Sequence, residues 1–305
     1  MFKITLIVPT YNAGHLWQKW IERLTSQDIV LDEIIVIDSS SIDNTVMQAK
    51  NAGFTVYSIY QSEFNHGKTR NYAVSLSKNK SDILVFLTQD ALLANDNSIT
   101  ELVSCFTDPN VSAAYGRQLP HKNANPIAAH ARLFNYPNLS CIKGVDDIPK
   151  LGIKTAFISN SFSAYRRTVF ETLGGFPDDV ILAEDMYLSA KMILSGYCVA
   201  YCSNAVVYHS HNYSYLQEFS RYFDTGVFHA KEPWIKEYFG GVKGEGKRFI
   251  FSEIRYLVTH APTWIPKALL TTFFKALGFK LGKSWAKLPK FLLKKFSMHK
   301  AYWKF

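Results

Sequence analysis

Cysteine is scarce in this sequence. Four cysteines occur in 305 residues, and no two of them form the CxxC spacing of a zinc site. Cys198 and Cys202 lie in an alternating stretch typical of a strand, where four residues span about 13 Å, too far for a disulfide bond. We therefore expect reduced thiols, as in a cytosolic protein.

Long apolar runs and glycine-rich loops are missing as well. No stretch reaches the roughly 20 apolar residues of a membrane-spanning helix, and the first apolar run ends at Pro9, too early for a secretory signal. The next loop reads PTYNAG instead of GxGxxG, and no GxxxxGK[ST] motif is present. These absences argue against a dinucleotide-binding enzyme.

Acidic residues are missing from one end of the chain. Residues 231–305 contain 16 Lys/Arg and four Asp/Glu, and no acid follows Glu253. Residues 1–230 contain 18 Lys/Arg and 21 Asp/Glu, so the net charge of +9 comes from the C-terminal part. The charge distribution therefore predicts two regions, 1–230 and 231–305.

Apolar runs alternate with helical patterns in the first region. The predicted strands cover residues 3–11, 33–41, 55–60 and 82–91. This order predicts an α/β fold with a single, mostly parallel sheet flanked by helices. Two of the strands end on acids, Asp38 and Asp90. Ligands bind beyond the carboxyl ends of such strands, although either acid could instead cap the next helix.

Eight motifs then follow one another along residues 1–215. They are IVPTYNAG (7–14), IDSSSIDNT (37–45), FNHGKTRN (64–71), LTQDA (87–91), YGRQLPH (115–121), FISNSFSAYRR (157–167), GGFP (174–177) and AEDMYLSAKMILSGY (183–197). In this order they resemble the inverting nucleotide-sugar glycosyltransferases with an A-type fold, and among these the bacterial rhamnosyltransferases of O-antigen and related surface polysaccharides. The assignment to rhamnose depends mainly on FNHGKTRN, LTQDA and GRQLPH.

The resemblance implies a reaction and its partners. L-Rhamnose would pass from dTDP-β-L-rhamnose to a lipid-linked glycan, in the cytoplasm at the inner face of the cell membrane. Residues 1–230 would be the catalytic domain. Two alternatives stay open: a transferase of another nucleotide sugar, such as a UDP-hexose, and a non-catalytic membrane-surface adaptor with a degenerate transferase fold.

The resemblance also implies roles for individual residues. Asp185 would be the catalytic base, with its neighbour Glu184 as the alternative. Asp38 would accept a hydrogen bond from the N3–H of a pyrimidine base. The residues expected to bind the nucleotide and donor are Pro9, Tyr11, Asp38, Ser40, His66, Arg70, Gln89 and Arg117. Those expected to line an acceptor or sugar pocket are His121, Asn160, Ser161, Glu184 and His211.

The metal-binding motif departs from the family pattern. Family members usually hold a divalent cation with Asp-x-Asp, whereas this chain has Thr88-Gln89-Asp90. One carboxylate suffices in principle for Mg²⁺ or Mn²⁺, because phosphate oxygens and waters complete the shell. We expect Asp90 and His209 as ligands, with His209 preferred to His211. Zinc is the less favoured alternative.

The basic C-terminal region has a helical pattern with two faces. Lys283, Lys287, Lys290 and Lys294 share one face, and Leu281, Trp285, Leu288 and Leu292 share the opposite one. This pattern favours helices that lie on an anionic membrane surface. The alternatives are a helical subdomain packed on the catalytic body and, less favoured, a nucleic-acid-binding tail.

Overall fold

The computed structural model describes residues 2–78, 80–241 and 244–304. Nine strands in these residues form one sheet. They are β1 (Ile4–Thr10), β2 (Glu33–Asp38), β3 (Thr55–Ser58), β4 (Ile83–Leu87), β5 (Leu92–Leu93), β6 (Val111–Leu119), β7 (Cys141–Lys143), β8 (Phe162–Arg166) and β9 (Cys198–Tyr208).

Helices flank this sheet and continue beyond it. They are α1 (Trp17–Thr25), α2 (Thr45–Asn51), α3 (His66–Leu76), α4 (Ser98–Ser104), α5 (Pro126–Asn135), α6 (Ile148–Leu151), α7 (Arg167–Thr172), α8 (Glu184–Leu194), α9 (Tyr215–Lys231), α10 (Pro233–Phe239), α11 (Glu245–His260), α12 (Ile265–Lys283) and α13 (Lys290–Phe296). The predicted α/β class is confirmed.

The strand order is β3-β2-β1-β4-β8-β6-β9-β5, with β7 paired to β9. The four predicted strands form one parallel part, because β1 pairs in parallel with β2 and β4, and β2 with β3; β6 and β9 form a second parallel pair. Beyond them β8 runs antiparallel to both β4 and β6, so the sheet is mixed. The carboxyl ends of β1, β2 and β4 therefore lie at one edge, as the ligand site of an open sheet requires.

Both faces of the sheet are covered, which explains the continuous apolar runs. On one side, Trp17 and Trp20 of α1 are buried, and their indole N–H groups donate to the carbonyl oxygens of Thr45 and Thr88, both at 3.0 Å. On the other side, Phe86 packs edge-on against aromatic rings that include Tyr165. These contacts fix the strand ends relative to the helices.

Helices α9 and α12 pack unusually close together. A Cβ atom built on Gly282 would lie 2.0 Å from the carbonyl oxygen of Phe223. Corresponding atoms on Gly226 and Gly278 would each lie 2.3 Å from a carbonyl oxygen of the opposite helix. Only glycine permits this separation, so the backbones of the two helices are in direct contact.

The C-terminal region shares its core with the sheet. Leu281, Trp285 and Leu288 pack against the buried cluster that contains Leu293 and Trp303. The apolar face predicted to meet lipid is thus directed at the protein, while the lysines of the opposite face are exposed. The boundary predicted between residues 230 and 231 falls at the end of α9, and the division into two domains stays a prediction. Within the described ranges, no helix has both the length and the apolar character needed to cross a membrane.

Candidate active site

A cleft of about 990 Å³ lies at the carboxyl ends of β1, β2 and β4; we call it the strand-end cleft. It is lined by Pro9 and Thr10 at the end of β1, Tyr11 directly after it, Ser39 after β2, and Thr88, Gln89 and Asp90 after β4. Its rim includes His66 and Arg70 of α3, and Met298, His299, Lys300 and Tyr302 of the C-terminal segment. The cleft thus combines residues from both predicted regions.

Asp38 lies at the end of β2, beside the cleft. Its side chain is buried, and one carboxylate oxygen accepts hydrogen bonds from the hydroxyl groups of Thr10, at 2.9 Å, and Ser41, at 2.6 Å. The neighbouring Ser40 adopts a left-handed conformation with φ of 62° and donates its hydroxyl to the carbonyl of Ile59. Both residues shape the loop that borders the cleft, and their contact with a nucleotide stays a prediction.

Gln89 holds the first loop in place. Its side-chain oxygen accepts the backbone N–H of Tyr11 at 2.8 Å, and its amide nitrogen donates to the carbonyl of Tyr11 at 3.0 Å. Both hydrogen-bonding groups of Gln89 are therefore used within the protein. The ring of Tyr11 remains exposed at the wall of the cleft, as a base-stacking position needs.

His66 and Arg70 lie one turn apart on α3, and both line the cleft. Asn65 caps this helix by accepting the backbone N–H groups of Gly67 and Lys68. Arg70 is buried and forms a 3.1 Å ion pair with Glu184, so much of its charge is neutralised inside the protein. Its Nε has no hydrogen-bond partner among the described residues.

Asp90, His209 and His211 converge at one end of the cleft. The Asp90 carboxylate lies 3.5 Å from Nε2 of each histidine. One possible ligand atom from each residue lies within 4.8 Å of the others, an arrangement that suits a single metal ion. The pKa of Asp90 lies well below its usual range despite burial, because the imidazoles of His209 and His211 lie beside its carboxylate.

The sequence favoured His209 over His211, whereas the structure brings both rings equally near Asp90. Nδ1 of His209 lies 2.9 Å from the side-chain oxygen of Gln118, which fixes that nitrogen as the donor and leaves the Nε2 lone pair directed at the cluster. His121 is adjacent, with its Nε2 3.2 Å from the carbonyl oxygen of Asp90. Gln118 was not predicted from the sequence.

Glu184 and Asp185 form a pair of acids at the start of α8. Their helix begins after Ala183, which adopts a left-handed φ of 62° that is costly for a residue other than glycine. Asp185 accepts the backbone N–H of Asn160 at 2.9 Å, and Glu184 accepts the side-chain amide of Asn160 at the same distance. Burial and the neighbouring charge of Glu184 raise the pKa of Asp185 to about 7.

Asn160 connects the two acids to the sheet. Its side-chain oxygen accepts hydrogen bonds from Ser163 and Tyr165 on β8, both at 2.8 Å. The sequence predicted Asn160 as a pocket residue, yet it is buried and spans the acids. Asp185 is not among the residues that line the strand-end cleft.

A second cavity, of about 390 Å³, shares no lining residue with the strand-end cleft and does not include Asp185 in its lining; we call it the helix-side cavity. Its lining includes His209 and His211, Ser161 of the predicted pocket residues, and Arg132, Tyr213, Glu218, Arg221, Tyr222, Phe249 and Lys275. No sequence motif marks Arg132 or the six residues named after it, because they come from four helices, α5, α9, α11 and α12, and from the segment before α9.

Arg117 is not among the residues lining either cavity. Its guanidinium donates to the carbonyl of Tyr136 at 3.2 Å and to the side chain of Asn138 at 2.8 Å. In this position it fixes the segment after α5. Its predicted contact with the donor has no support from the geometry.

Comparison with known proteins gives a consistent result. Residues 5–174 match the profile of glycosyl transferase family 2. The chain is 57% identical to the O-antigen chain rhamnosyltransferase RfbN of Salmonella typhimurium, over 99% of this chain and 96% of that one. It is 56% identical to the O-antigen chain rhamnosyltransferase WbaN of Salmonella anatum, with the same coverage of both chains.

A solved structure shows the same fold at low sequence identity. It is the mannosyltransferase PcManGT of Pyrobaculum calidifontis, in complex with GDP-Man and Mn²⁺. The two structures superpose with a TM-score of 0.57 and 20% identity, over 99% of this chain and 84% of that one. The similarity extends over the C-terminal helices as well as the sheet.

Proposed function

The chain belongs to glycosyl transferase family 2 and is an inverting glycosyltransferase; we propose that it transfers L-rhamnose from dTDP-β-L-rhamnose to a lipid-linked glycan. The observation that carries the choice of sugar is the identity to two O-antigen chain rhamnosyltransferases along essentially the whole chain. Membership of an enzyme family removes the support for the non-catalytic adaptor. The alternative is a UDP-hexose donor, and assays with a panel of nucleotide sugars would distinguish it from dTDP-rhamnose.

We propose Asp90, His209 and His211 as the residues that hold a divalent metal, Mg²⁺ or Mn²⁺. One carboxylate and two imidazole nitrogens can supply three ligands to one ion, although the triplet at 88–90 lacks its first acid. The oxygen atoms that a diphosphate and water would add favour Mg²⁺ or Mn²⁺ over zinc. When bound, the cation would offset the negative charge that develops on the departing nucleoside diphosphate. His121 and Gln118 hold the surrounding loop and the His209 ring in position.

Asp185 is the proposed base. In the described geometry the N–H groups of Asn160 and Met186 orient its two oxygens. A pKa near 7 makes its carboxylate a stronger proton acceptor than an ordinary aspartate, while leaving it largely ionised just above neutrality. As the acceptor hydroxyl attacks the anomeric carbon, its proton passes to Asp185, and the bond to the diphosphate breaks. Inversion of the β-configured donor gives an α-linked rhamnose.

The remaining residues serve the donor. Tyr11 offers a ring surface to the base, and Pro9 and Gln89 hold the loop that presents it. His66 lies at the amino end of α3, where the helix dipole favours an anion such as the diphosphate. Arg70 is best described as a positioning residue, because its ion pair with Glu184 connects α3 to the acids of α8.

We propose that the enzyme binds the inner membrane surface through outward apolar side chains of α11 and α12. These side chains are Phe251, Val258, Leu269, Leu270 and Phe273, all more than 40% exposed. The face predicted from the helical wheel is unsuitable, because it packs on the core. Basic residues such as Lys267 flank the exposed ones and suit an anionic surface.

Product analysis tests the reaction directly. Purified enzyme with Mn²⁺ receives dTDP-β-L-rhamnose, UDP-glucose or UDP-galactose, together with a short panel of synthetic lipid-diphosphate glycans. We expect transfer from the rhamnose donor alone, with an α linkage in the product. Transfer from a UDP-hexose at a comparable kcat/KM would replace rhamnose by that sugar and leave the family assignment intact.

A further inference from the structure

The helix-side cavity carries an excess of positive charge that the proposed chemistry does not use. Arg132, Arg221 and Lys275 line it against a single carboxylate, that of Glu218. Glu218 is shared, because its oxygens lie 3.3 Å from Nε of Arg221 and 3.3 Å from Nζ of Lys275. Glu253 lies near Lys275 outside this lining, but burial raises its pKa to about 7 and so weakens its negative charge. The described lining therefore has more cations than ionised carboxylates and is suited to an anion.

The cavity adjoins the metal cluster. His209 and His211 line it, whereas Asp90 lines the strand-end cleft, so the cluster stands between the two spaces. The ring of His211 stacks on that of Tyr213 with centroids 4.9 Å apart, and the guanidinium of Arg221 lies 6.0 Å from the Tyr213 ring. A single aromatic ring therefore separates a proposed metal ligand from a cavity cation.

The cavity walls also suit a sugar. Tyr213, Tyr222 and Phe249 supply aromatic surface, and Asn125 and Asn135 supply amide donors and acceptors. At about 390 Å³ the space is in the range of small-molecule sites, which combine apolar walls with a few polar groups. The cavity thus combines side chains that suit a sugar with side chains that suit an anion.

Two of the helices that line the cavity also carry apolar side chains on their outer surface. Phe249 and Lys275 line it from α11 and α12. The same helices expose Phe251, Leu270 and Phe273. A ligand whose anionic group lies beside Lys275 can therefore carry an apolar chain along the exterior of the protein, towards a membrane.

From these observations we propose that the helix-side cavity binds the phosphate of the acceptor substrate, with Arg221 and Lys275 as its contacts. The ligand class is a glycosyl phosphate or diphosphate on an apolar chain, and the proposal rests on the proposed glycosyl transfer. Arg132 is a positioning residue, because its guanidinium donates to Gln118 at 2.8 Å and thus supports the His209 ring.

The test compares two acceptors that share one glycan. One is a short-chain lipid diphosphate and the other is a neutral alkyl glycoside, both in detergent without anionic lipid. For Arg221→Gln and Lys275→Gln we expect the KM of the diphosphate acceptor to rise at least tenfold, with the KM of the glycoside and the Kd of the donor unchanged. Lys280→Gln, an equal loss of charge at an exposed position of α12, is the matched control.

Folding and the source of the phosphate are controlled separately. In each single variant Glu218 keeps one cationic partner, Arg221 or Lys275, so the carboxylate of the lining is not left unpaired. Lys275→Arg keeps the positive charge and should show a KM for the diphosphate acceptor close to that of the wild type. Equal losses with both acceptors, or no loss with either, would overturn the proposal. So would a loss that appears only on vesicles containing phosphatidylglycerol, because the phosphate would then belong to a lipid headgroup.

Calorimetry in the absence of donor keeps this test apart from the proposed reaction. Wild-type enzyme should bind the diphosphate acceptor more tightly than the glycoside, whichever nucleotide sugar it uses. If that preference is present but dTDP-rhamnose is not a donor, the proposed sugar is wrong and the phosphate pocket stands. If rhamnose is transferred but the two acceptors bind equally, the pocket assignment fails.

Discussion

The strand-end cleft and the helix-side cavity are built in different ways. In the cleft, residues at neighbouring strand ends bind one another: the Gln89 side chain holds the backbone of Tyr11, and Asp38 holds Thr10. In the cavity, cations come from α5, α9 and α12, and Glu218 is the one carboxylate among the described residues of the lining. The difference teaches that the strand-end cleft is fixed by local loop geometry, whereas the helix-side cavity depends on how distant helices pack.

The largest effect is expected at Asp185, the proposed base. Asp185→Asn keeps the size of the side chain and removes the base, so transfer should fall by about 10²–10⁴-fold. Donor binding measured by calorimetry with Mn²⁺ should stay close to wild type, since Asp185 does not line the cleft. Glu184→Gln is the matched control, because it tests whether Glu184 and not Asp185 is the base. Near-normal turnover by Asp185→Asn, with loss in Glu184→Gln, would reverse their roles.

The next effect tests whether both histidines belong to the metal site. Loss of a residue that only orients a metal ligand lowers metal affinity by about 10–100-fold. Loss of His209 or His211, which would bind the ion directly, should therefore weaken Mn²⁺ binding by at least that factor. We expect His209→Ala to be the more severe, because its ring is buried and hydrogen-bonded to Gln118. Titration of activity with Mn²⁺ measures this. His260→Ala, an exposed histidine of α11, should have no effect.

A third experiment asks whether the helices behind the cavity form one body with the sheet. Gly282→Ala places a methyl group against the backbone of α9, and overpacking of this kind costs about 1–3 kcal/mol. Urea unfolding followed by circular dichroism should show the loss as one cooperative transition. Gly246→Ala in α11, where nothing lies within 4 Å of the new atom, should be neutral or slightly stabilising. A separate early transition of the helices would show that they fold apart.

The smallest effect is the dependence on pH. Because the raised pKa of Asp185 is about 7, its carboxylate is lost as the pH falls below that value, and kcat/KM should decrease about tenfold per pH unit on the acid side. The same shift slightly favours the folded state below pH 7, since the unfolded carboxyl group ionises more easily. A profile that stays flat from pH 7 to pH 5 would exclude Asp185 as the base.

The sequence predicted the residues of the strand-end cleft better than those of the helix-side cavity, for a physical reason. Strand-end acids such as Asp90 follow apolar runs that can be recognised locally, and the β1–β4 part of the fold follows from the same pattern. Arg221 and Lys275 sit in helices at positions that look like any solvated cation. The packing of α9 against α12 brings them together around Glu218, and that packing depends on Gly226 in one helix and on Gly278 and Gly282 in the other.

Two further residues show the same limit. Asn160 was expected to face a sugar, but its hydrogen bonds join β8 to both acids of α8. Gln118 contacts His209 because β6 and β9 pair in parallel. No local sequence motif predicts that pairing. Roles that act through another side chain are set by tertiary neighbours, so they do not leave a signature in the chain.

The close contact between α9 and α12 also limits how this enzyme can be recombined with its relatives. A chimera that exchanges the C-terminal part at residue 230 would pair α9 from one parent with α12 from another, and any mismatch at Gly226, Gly278 or Gly282 would drive the backbones apart. A crossover before Ser214, ahead of the whole α9–α12 unit, keeps that interface from a single parent. In such a chimera we expect the grafted helices to determine the preference for the acceptor and the recipient sheet to determine the preference for the donor.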